Sequence, residues 1–278
     1  TSTNEKYILQ QINTNVFKKP KEVMENIERV TNHIRKKCKN QKCDNSRSAL
    51  EIIGTKDKKN YVKYKDGFWR CYRFIDGAKT YEQITDPIQF YEVGKAIGNF
   101  QKQLNDFPIK KLNVTIPDFH NTPKRFQKFT ELATSDKLER GMDIFNEIKF
   151  VCDRQKDMHI IVDLLKEKRI PWRVTHNDTK LNNVMIDEAT GKAICVIDLD
   201  TVMPGSVLFD FGDAIRIGAS TAVEDEPDLS KVNIDLNLFK LFSQGFLEVF
   251  RKELKKDEIA NLVASTKIIT LECGMRFL

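Results

Sequence analysis

Apolar positions recur along this chain with two different periods, and the change falls near residue 76. Before it, "KYILQQI" (6–12) is rich in β-forming residues, while "NYVKYK" (60–65) and "GFWRCYRFI" (67–75) alternate apolar with polar positions. That alternation predicts half-buried strands, with "ALEIIGT" (49–55) as a further one. Asp66-Gly67, between the last two alternating runs, predicts a tight hairpin. One stretch, "PKEVMENIERVTNHIRKK" (20–37), has the other period. Its Val23, Ile27, Val30 and Ile34 fall at helical spacing behind Pro20, a residue suited to a first helical turn.

Beyond "IDGAKTYEQITDP" (75–87) the helical period takes over. Phe90, Val93, Ile97, Phe100 and Leu104 mark one face of a long helix, and further helices are expected near 137–150, 154–169, 235–254 and 257–272. The only clear β signal of this part is "NNVMID" (182–187) with "AICVIDLD" (193–200), joined by "EATGK" and carrying Gly191 where a hairpin turns. The expected fold class is α+β with two lobes. A small antiparallel β lobe with one helix covers 1–76, a larger, mainly helical lobe covers 77–278, and the connector lies near Phe74–Lys79.

Composition narrows the functional classes. Of 278 residues, 40% are hydrophobic and 31% charged, which suits a sizeable core inside a well-solvated surface. No apolar run approaches the roughly 18 residues of a membrane span, and the N-terminus has no secretory pattern, so a cytoplasmic protein without a membrane partner is expected. The net charge of +6 is concentrated in "RKKCKNQKC" (35–43) and "GTKDKKNYVKYK" (54–65). The first lacks interleaved aromatics, and solvated helix ends or loops account for both, so no nucleic-acid partner is expected. Of six cysteines only Cys38 and Cys43 lie close, with no second pair or histidine pair to complete a zinc site. Reduced thiols are the expectation. The chain starts at Thr1 and stops inside the helical-looking "LECGMRFL", which suggests a segment of a longer polypeptide.

The candidate chemistry sits in "THNDTKLNN" (175–183), where His176-x-Asp178-x4-Asn183 precedes the hairpin that leads to Asp198 and Asp200. Phosphoryl transfer from ATP needs a carboxylate to orient and deprotonate the attacking hydroxyl, oxygen ligands for Mg2+, and a cation near the γ-phosphate. Asp178 suits the first task and Lys180 the last. Asn183 and Asp198 offer one amide and one carboxylate oxygen, the hard donors Mg2+ prefers, from the two ends of a hairpin. Their order matches the protein-kinase template. A loop histidine usually satisfies backbone groups, so His176 takes a scaffolding role. Asp178 and Asn183 could instead be turn residues, but Asp198 follows at the kinase distance on a strand too apolar to host an idle carboxylate. Asp198 and Asp200, two apart in an extended segment, would face one side and form a metal or substrate site. The same Asp-x-Asp occurs in metal-dependent glycosyltransferases, which usually place it behind a parallel βαβ region where this chain has a meander.

"HNDTKLNNVMID", "VIDLDTVMPGSVLFDFGDAIRIGAS" and "FHNTPKRF", with "RFIDGAKTYE" and "ITLECGMRFL", together closely resemble the N-acetylhexosamine 1-kinases of the aminoglycoside phosphotransferase and choline kinase superfamily. The resemblance covers nearly the whole chain. It implies a two-lobed protein-kinase-like fold, with Mg2+ as cofactor, ATP as phosphoryl donor, and transfer to the anomeric hydroxyl of GlcNAc or GalNAc. It further implies Asp178 as base, Lys180 facing the phosphates, and Asn183 and Asp198 as metal ligands. The connector, with Arg73, Phe74 and Ile75, would bind the adenine. Asp210 would brace the catalytic loop together with His176. Asp178, Asp200, Asp213, Arg216 and Arg276 are the sugar-binding candidates, and His120 and Arg125 stand behind them. Related kinases carry a phosphate-gripping lysine on a small-lobe strand where "YILQQI" offers Gln10 or Gln11, with Lys6 nearby. The strand pair and phosphate-covering turn expected before that strand would lie before Thr1. A kinase for another sugar, an amino alcohol or an aminoglycoside is the near alternative, and a nucleotide- or sugar-binding protein without turnover the distant one.

Overall fold

The computed structural model describes residues 5–41, 44, 46–135, 141–224 and 226–278. Strands β1 (Tyr7–Ile12), β2 (Val62–Tyr64) and β3 (Gly67–Arg73) form an antiparallel sheet with β3 in the middle. Helix α1 (Pro20–Gln41) lies against it, and Val23, Ile27, Val30 and Ile34 are all buried as their spacing predicts. They share a core with Ile12, Tyr72 and Ile75, which continues into the second part of the chain through Phe100, Val174 and Leu199. Residues 49–55 form no strand of their own. Their backbone pairs with β3 at the Ile52–Tyr72 bridge, and β2 occupies the next part of that edge.

The first hairpin turns one residue earlier than expected. Tyr64 pairs with Gly67, so the turn is Lys65-Asp66, with Lys65 taking the positive φ of 51°. A Cβ on Gly67 would come within 2.5 Å of the Gln11 amide, the end of an exposed side chain that would have to move aside.

The connector ends in a strand that the sequence does not signal. β4 (Ala78–Lys79) pairs with β6 (Val184–Asp187), which pairs with β7 (Ala193–Val196) across a turn where Gly191 has φ 68°. A second strand pair, β5 (Arg173–Thr175) with β8 (Met203–Gly205), corrects the expectation of a single hairpin in this part. Three residues are too few to display an alternation.

Helix α2 (Pro87–Gln103) follows its predicted stripe and starts at a capping box between Asp86 and Gln89. The other helices of this part are α3 (Thr122–Ser135), α4 (Phe145–Cys152), α5 (Ile160–Lys166), α6 (Val207–Gly218), α7 (Leu236–Phe250), α8 (Lys256–Ala260) and α9 (Leu262–Phe277). The stretch expected to be helical at 137–150 starts its helix only at Phe145, and its residues 137–140 lie outside those described. The helix expected at 154–169 is a 3-10 turn (Gln155–His159) followed by α5, and that at 257–272 divides at Asn261. Helix α6 carries its polar residues Asp210, Asp213 and Arg216 at helical spacing, but ten of its residues are buried, both acids included, because that face turns onto the loop 176–183 rather than onto solvent.

The packing of α2 on α7 is backbone-close. A Cβ on Gly94 would lie 2.2 Å from the Phe242 carbonyl oxygen, and one on Gly245 2.1 Å from that of Tyr91. Phe90 and Phe242 close the contact with ring centroids 4.9 Å apart. Among the described residues no helix is long and apolar enough to cross a membrane. Cys38 is buried and disulfide-bonded, which corrects the reduced-thiol expectation for that residue; Cys43 lies outside the described residues. Cys71, Cys152, Cys195 and Cys273 are free thiols.

Candidate active site

The loop 176–183 hangs from β5 and is shaped by carboxylates at the start of α6. Fully buried Asp210 accepts hydrogen bonds from the backbone N–H of His176 (3.0 Å) and of Asn177 (2.8 Å), and from Gln101 Nε2 on α2 (2.7 Å). Burial pushes its pKa up, while these donors and nearby His176 pull it back. One turn on, Asp213 accepts from the Thr179 N–H at 3.0 Å. Two acids on one helix therefore fix the loop at both sides of Asp178. Asn177 takes the left-handed φ of 66° that the bend requires, and it ties down its amide by donating to the Thr201 carbonyl at 2.9 Å.

His176 joins this loop to the next. A carbonyl can only accept, so the 2.8 Å contact of ring Nε2 with Ile197 O places the proton on Nε2. Nδ1 then accepts from the Asp178 N–H at 3.3 Å. The ring is a scaffold, as a buried loop histidine should be.

At the base of the β6–β7 hairpin the Ile197 N–H donates to the Asn183 carbonyl at 2.8 Å, so Asp198 follows directly on a backbone tie to Asn183. Asn183 Nδ2 donates to the Asp178 carbonyl at 2.8 Å, leaving its Oδ1 uncommitted among the described residues. Asp198 does not lie in an extended strand. It adopts φ 56°, ψ 57° and starts a 3-10 turn over Leu199–Thr201, so the two-residue spacing to Asp200 does not place both acids on one strand face. Its carboxylate opens to solvent and has no hydrogen-bond or ion-pair partner among the described residues. Its pKa is raised by the surrounding protein first and by the charges of Asp200 and Asp178 next, against the pull of His176 and Arg70. An unpaired, crowded carboxylate and an uncommitted amide oxygen are the donor types a hard divalent cation takes.

Asp178 also faces a pocket lined by Lys180, Asp213, Arg216, Glu224 and Arg276, with His120, Arg125 and Glu272 deeper in. Its charges are largely matched. Lys180 lies 3.4 Å from Asp178, and Arg216 bridges Asp213 (3.1 Å) and Glu224 (2.8 Å). Glu272 is buried, which disfavours its charge, yet hydrogen bonds from His120 and Thr122 and the charge of Arg125 hold it below the usual carboxylate range. Arg276 has no carboxylate within ion-pair distance among the described residues and stays exposed.

The remaining predicted residues lie elsewhere. Asp200 is outside this pocket and forms a two-pronged ion pair with Arg70 of β3. Arg73 is held by Glu5 (2.7 Å) and Glu51 (3.2 Å), and the Phe74 N–H is taken by the Lys6 carbonyl at 3.0 Å. The Phe74 ring is partly exposed, whereas Ile75 is buried. Gln10 accepts from Arg70 Nε at 3.2 Å.

Sequence reasoning missed Gln101, Asn177, Glu224 and Glu272. Gln101 carried a signal, a polar residue between Ile97 and Leu104 on an apolar helix face. Glu272 sits similarly between Leu271 and Met275. Glu224 lies in an irregular loop and carried none.

A family model described as the phosphotransferase enzyme family, APH, matches residues 43–235, more than half of the chain. Among solved structures, the chain is similar to an aminoglycoside phosphotransferase from Alicyclobacillus acidocaldarius, with 12% identity and a TM-score of 0.64 over 97% of this chain and 76% of that one. An amicoumacin kinase in complex with AMP-PNP and Ca2+ has a TM-score of 0.60 at 12% identity, covering 98% of this chain and 75% of that one. An ethanolamine kinase from Plasmodium vivax has a TM-score of 0.58 at 17% identity, covering 99% and 70%. Identities this low speak for a common kinase-like fold alone.

Proposed function

The chain belongs to the phosphotransferase enzyme family, APH, and we propose that within it the reaction is transfer of the γ-phosphoryl group of ATP to the anomeric hydroxyl of an N-acetylhexosamine, GlcNAc or GalNAc. The observation that carries this reading is a pocket beside Asp178 whose acids are matched by cations. Polycationic aminoglycosides and cationic amino alcohols call for surplus negative charge. A neutral sugar bearing hydroxyls and an acetamido group calls for fixed, charge-balanced hydrogen-bonding groups.

In this assignment Asp178 accepts the proton as the sugar oxygen attacks the γ-phosphorus and ADP leaves. Lys180 meets the transferring phosphoryl group. Asn183 Oδ1 and Asp198 would hold Mg2+, which when bound neutralises charge on the phosphates. Arg216 and Arg276 orient the sugar, and Asp213 supports Arg216. The nucleotide base takes the groove between a small unit over 1–76 and a larger one over 77–278. There Phe74 and Ile75 shape its pocket, and with the Phe74 N–H already engaged, the adenine hydrogen bonds fall to the backbone beyond it. Arg73, held by Glu5 and Glu51, shapes the connector.

Steady-state turnover across a panel of 2-acetamido sugars, plain hexoses, ethanolamine and kanamycin tests the reading. Preference for 2-acetamido sugars with the 1-phosphate as product is expected. A preference for any amine-bearing acceptor would overturn it.

A further inference from the structure

The turn that carries Asp198 is fastened from two directions. From the catalytic loop it receives the His176–Ile197 bond, the Asn177–Thr201 bond, and the bond from Thr201 Oγ1 to the His176 carbonyl at 2.6 Å. From the small sheet comes Arg70, on the central strand β3. Its guanidinium grips both oxygens of Asp200, its Nε donates to Gln10 on β1, and its plane lies over Tyr72 at 5.2 Å. Arg70 is 6% exposed, and among the described residues no other ion pair links the small sheet to this turn. From that side Asn26 Nδ2 also donates to the Val202 carbonyl at 2.9 Å, and Leu199 and Val202 share the core of α1 and the small sheet.

We infer that Arg70 and Asp200 form a clamp that positions Asp198 for its metal and couples the small sheet to the metal-binding turn. This rests on the assignment of Asp198 as a metal ligand. The physical case has three parts. Asp198 sits in a left-handed backbone conformation that a non-glycine residue adopts at a cost, so something must hold it there. Paired arginine and carboxylate groups are bidentate and directional, which suits fixing an angle rather than supplying stability. Finally, the pairing spends the guanidinium fork on Asp200, so one acid of the Asp-x-Asp stays without an ion-pair partner among the described residues and open to a cation while the other is spent. Arg70 and Asp200 are thus positioning residues, and Asp200 leaves the set of sugar contacts.

The test is the charge-neutral double variant Arg70→Met/Asp200→Asn, which leaves no orphaned charge in the groove. Calorimetric titration of a non-hydrolysable ATP analogue at stepped Mg2+ concentrations reads the metal site without turnover. The expected result is a Mg2+ requirement raised about tenfold, with metal-free nucleotide affinity, sugar KM and melting temperature close to those of the parent. Arg70→Lys, which keeps the charge but only one prong, should fall between. A folded double variant with the parental Mg2+ requirement overturns the clamp. Should the double variant not fold, the isosteric Asp200→Asn decides alone: a raised requirement supports the clamp and an unchanged one overturns it. Asp198→Ala separates the two readings. If it abolishes the Mg2+ dependence while the double variant leaves it intact, the clamp fails and the metal assignment stands; if Asp198→Ala keeps the dependence, the metal assignment itself fails.

Discussion

The Nε2–H of His176 is bonded to the carbonyl of Ile197 at 2.8 Å, one residue before Asp198. The ring is sealed from solvent and meets Asp178 only through its backbone N–H, not its carboxylate. Its replacement by Phe is expected to lower kcat by about 10-fold or more, because misplacing a ligand by an ångström is costly. ATP and sugar KM should change less than kcat. Stopped-flow turnover at saturating substrates and Mg2+ checks this.

Asp178→Asn keeps the shape of the loop and removes the proton acceptor. Turnover should fall about 10²–10⁴-fold while nucleotide binding, measured by calorimetry, stays near the parental value. Retained activity would sink the assignment of the base.

Asp210 serves three donors, and Asp210→Ala orphans all of them in a fully buried site. A loss of about 2–4 kcal/mol in unfolding free energy is expected, together with loss of turnover. Urea titration measures the first. Gln101→Leu removes one of the three and should cost about 1–2 kcal/mol.

Arg276 projects into the pocket with no acidic partner among the described residues, so its removal orphans no described carboxylate. Arg276→Ala should raise the sugar KM about tenfold, or about 1.4 kcal/mol, with the KM for ATP unchanged. Equal effects on both substrates would contradict a role confined to the acceptor.

The buried Glu272 is held below the ordinary carboxylate range. A depressed folded-state pKa stabilises the protein above the unfolded-state value, near 4.3 for glutamate, and that contribution is lost as pH falls through the lower folded value. Glu272→Gln should therefore cost about 1–3 kcal/mol at pH 7, and the difference from the parent should shrink only below about pH 4.3. Urea unfolding of both proteins from pH 7 to the acid limit tests the sign.

The division into a sheet-and-helix part and a helical part was legible because α1 and α2 each show one clean apolar stripe at a fixed period. In helix α6 the stripe is Asp210, Asp213 and Arg216, and these read in the sequence as candidate site residues rather than as the polar side of a helix. The strands β5 and β8 were too short to alternate. In the site, Asp178, Asn183 and Asp198 stood out as polar residues crowded against apolar ones. Their supports did not. Gln101 and Asp210 lie far apart in sequence, and only the fold brings the amide within 2.7 Å of the carboxylate. The misplacement of Asp200 has a local cause. Spacing predicts a shared face only in extended backbone, and the left-handed residue at 198 ends the extension.

Gly94 and Gly245, deep in the contact of α2 with α7, leave no room even for a methyl group. Saturation mutagenesis scored by growth would therefore show two blind spots there as deep as those at the chemical residues. A dead variant at either position reports on whether the scaffold assembles, and says nothing about the reaction it serves.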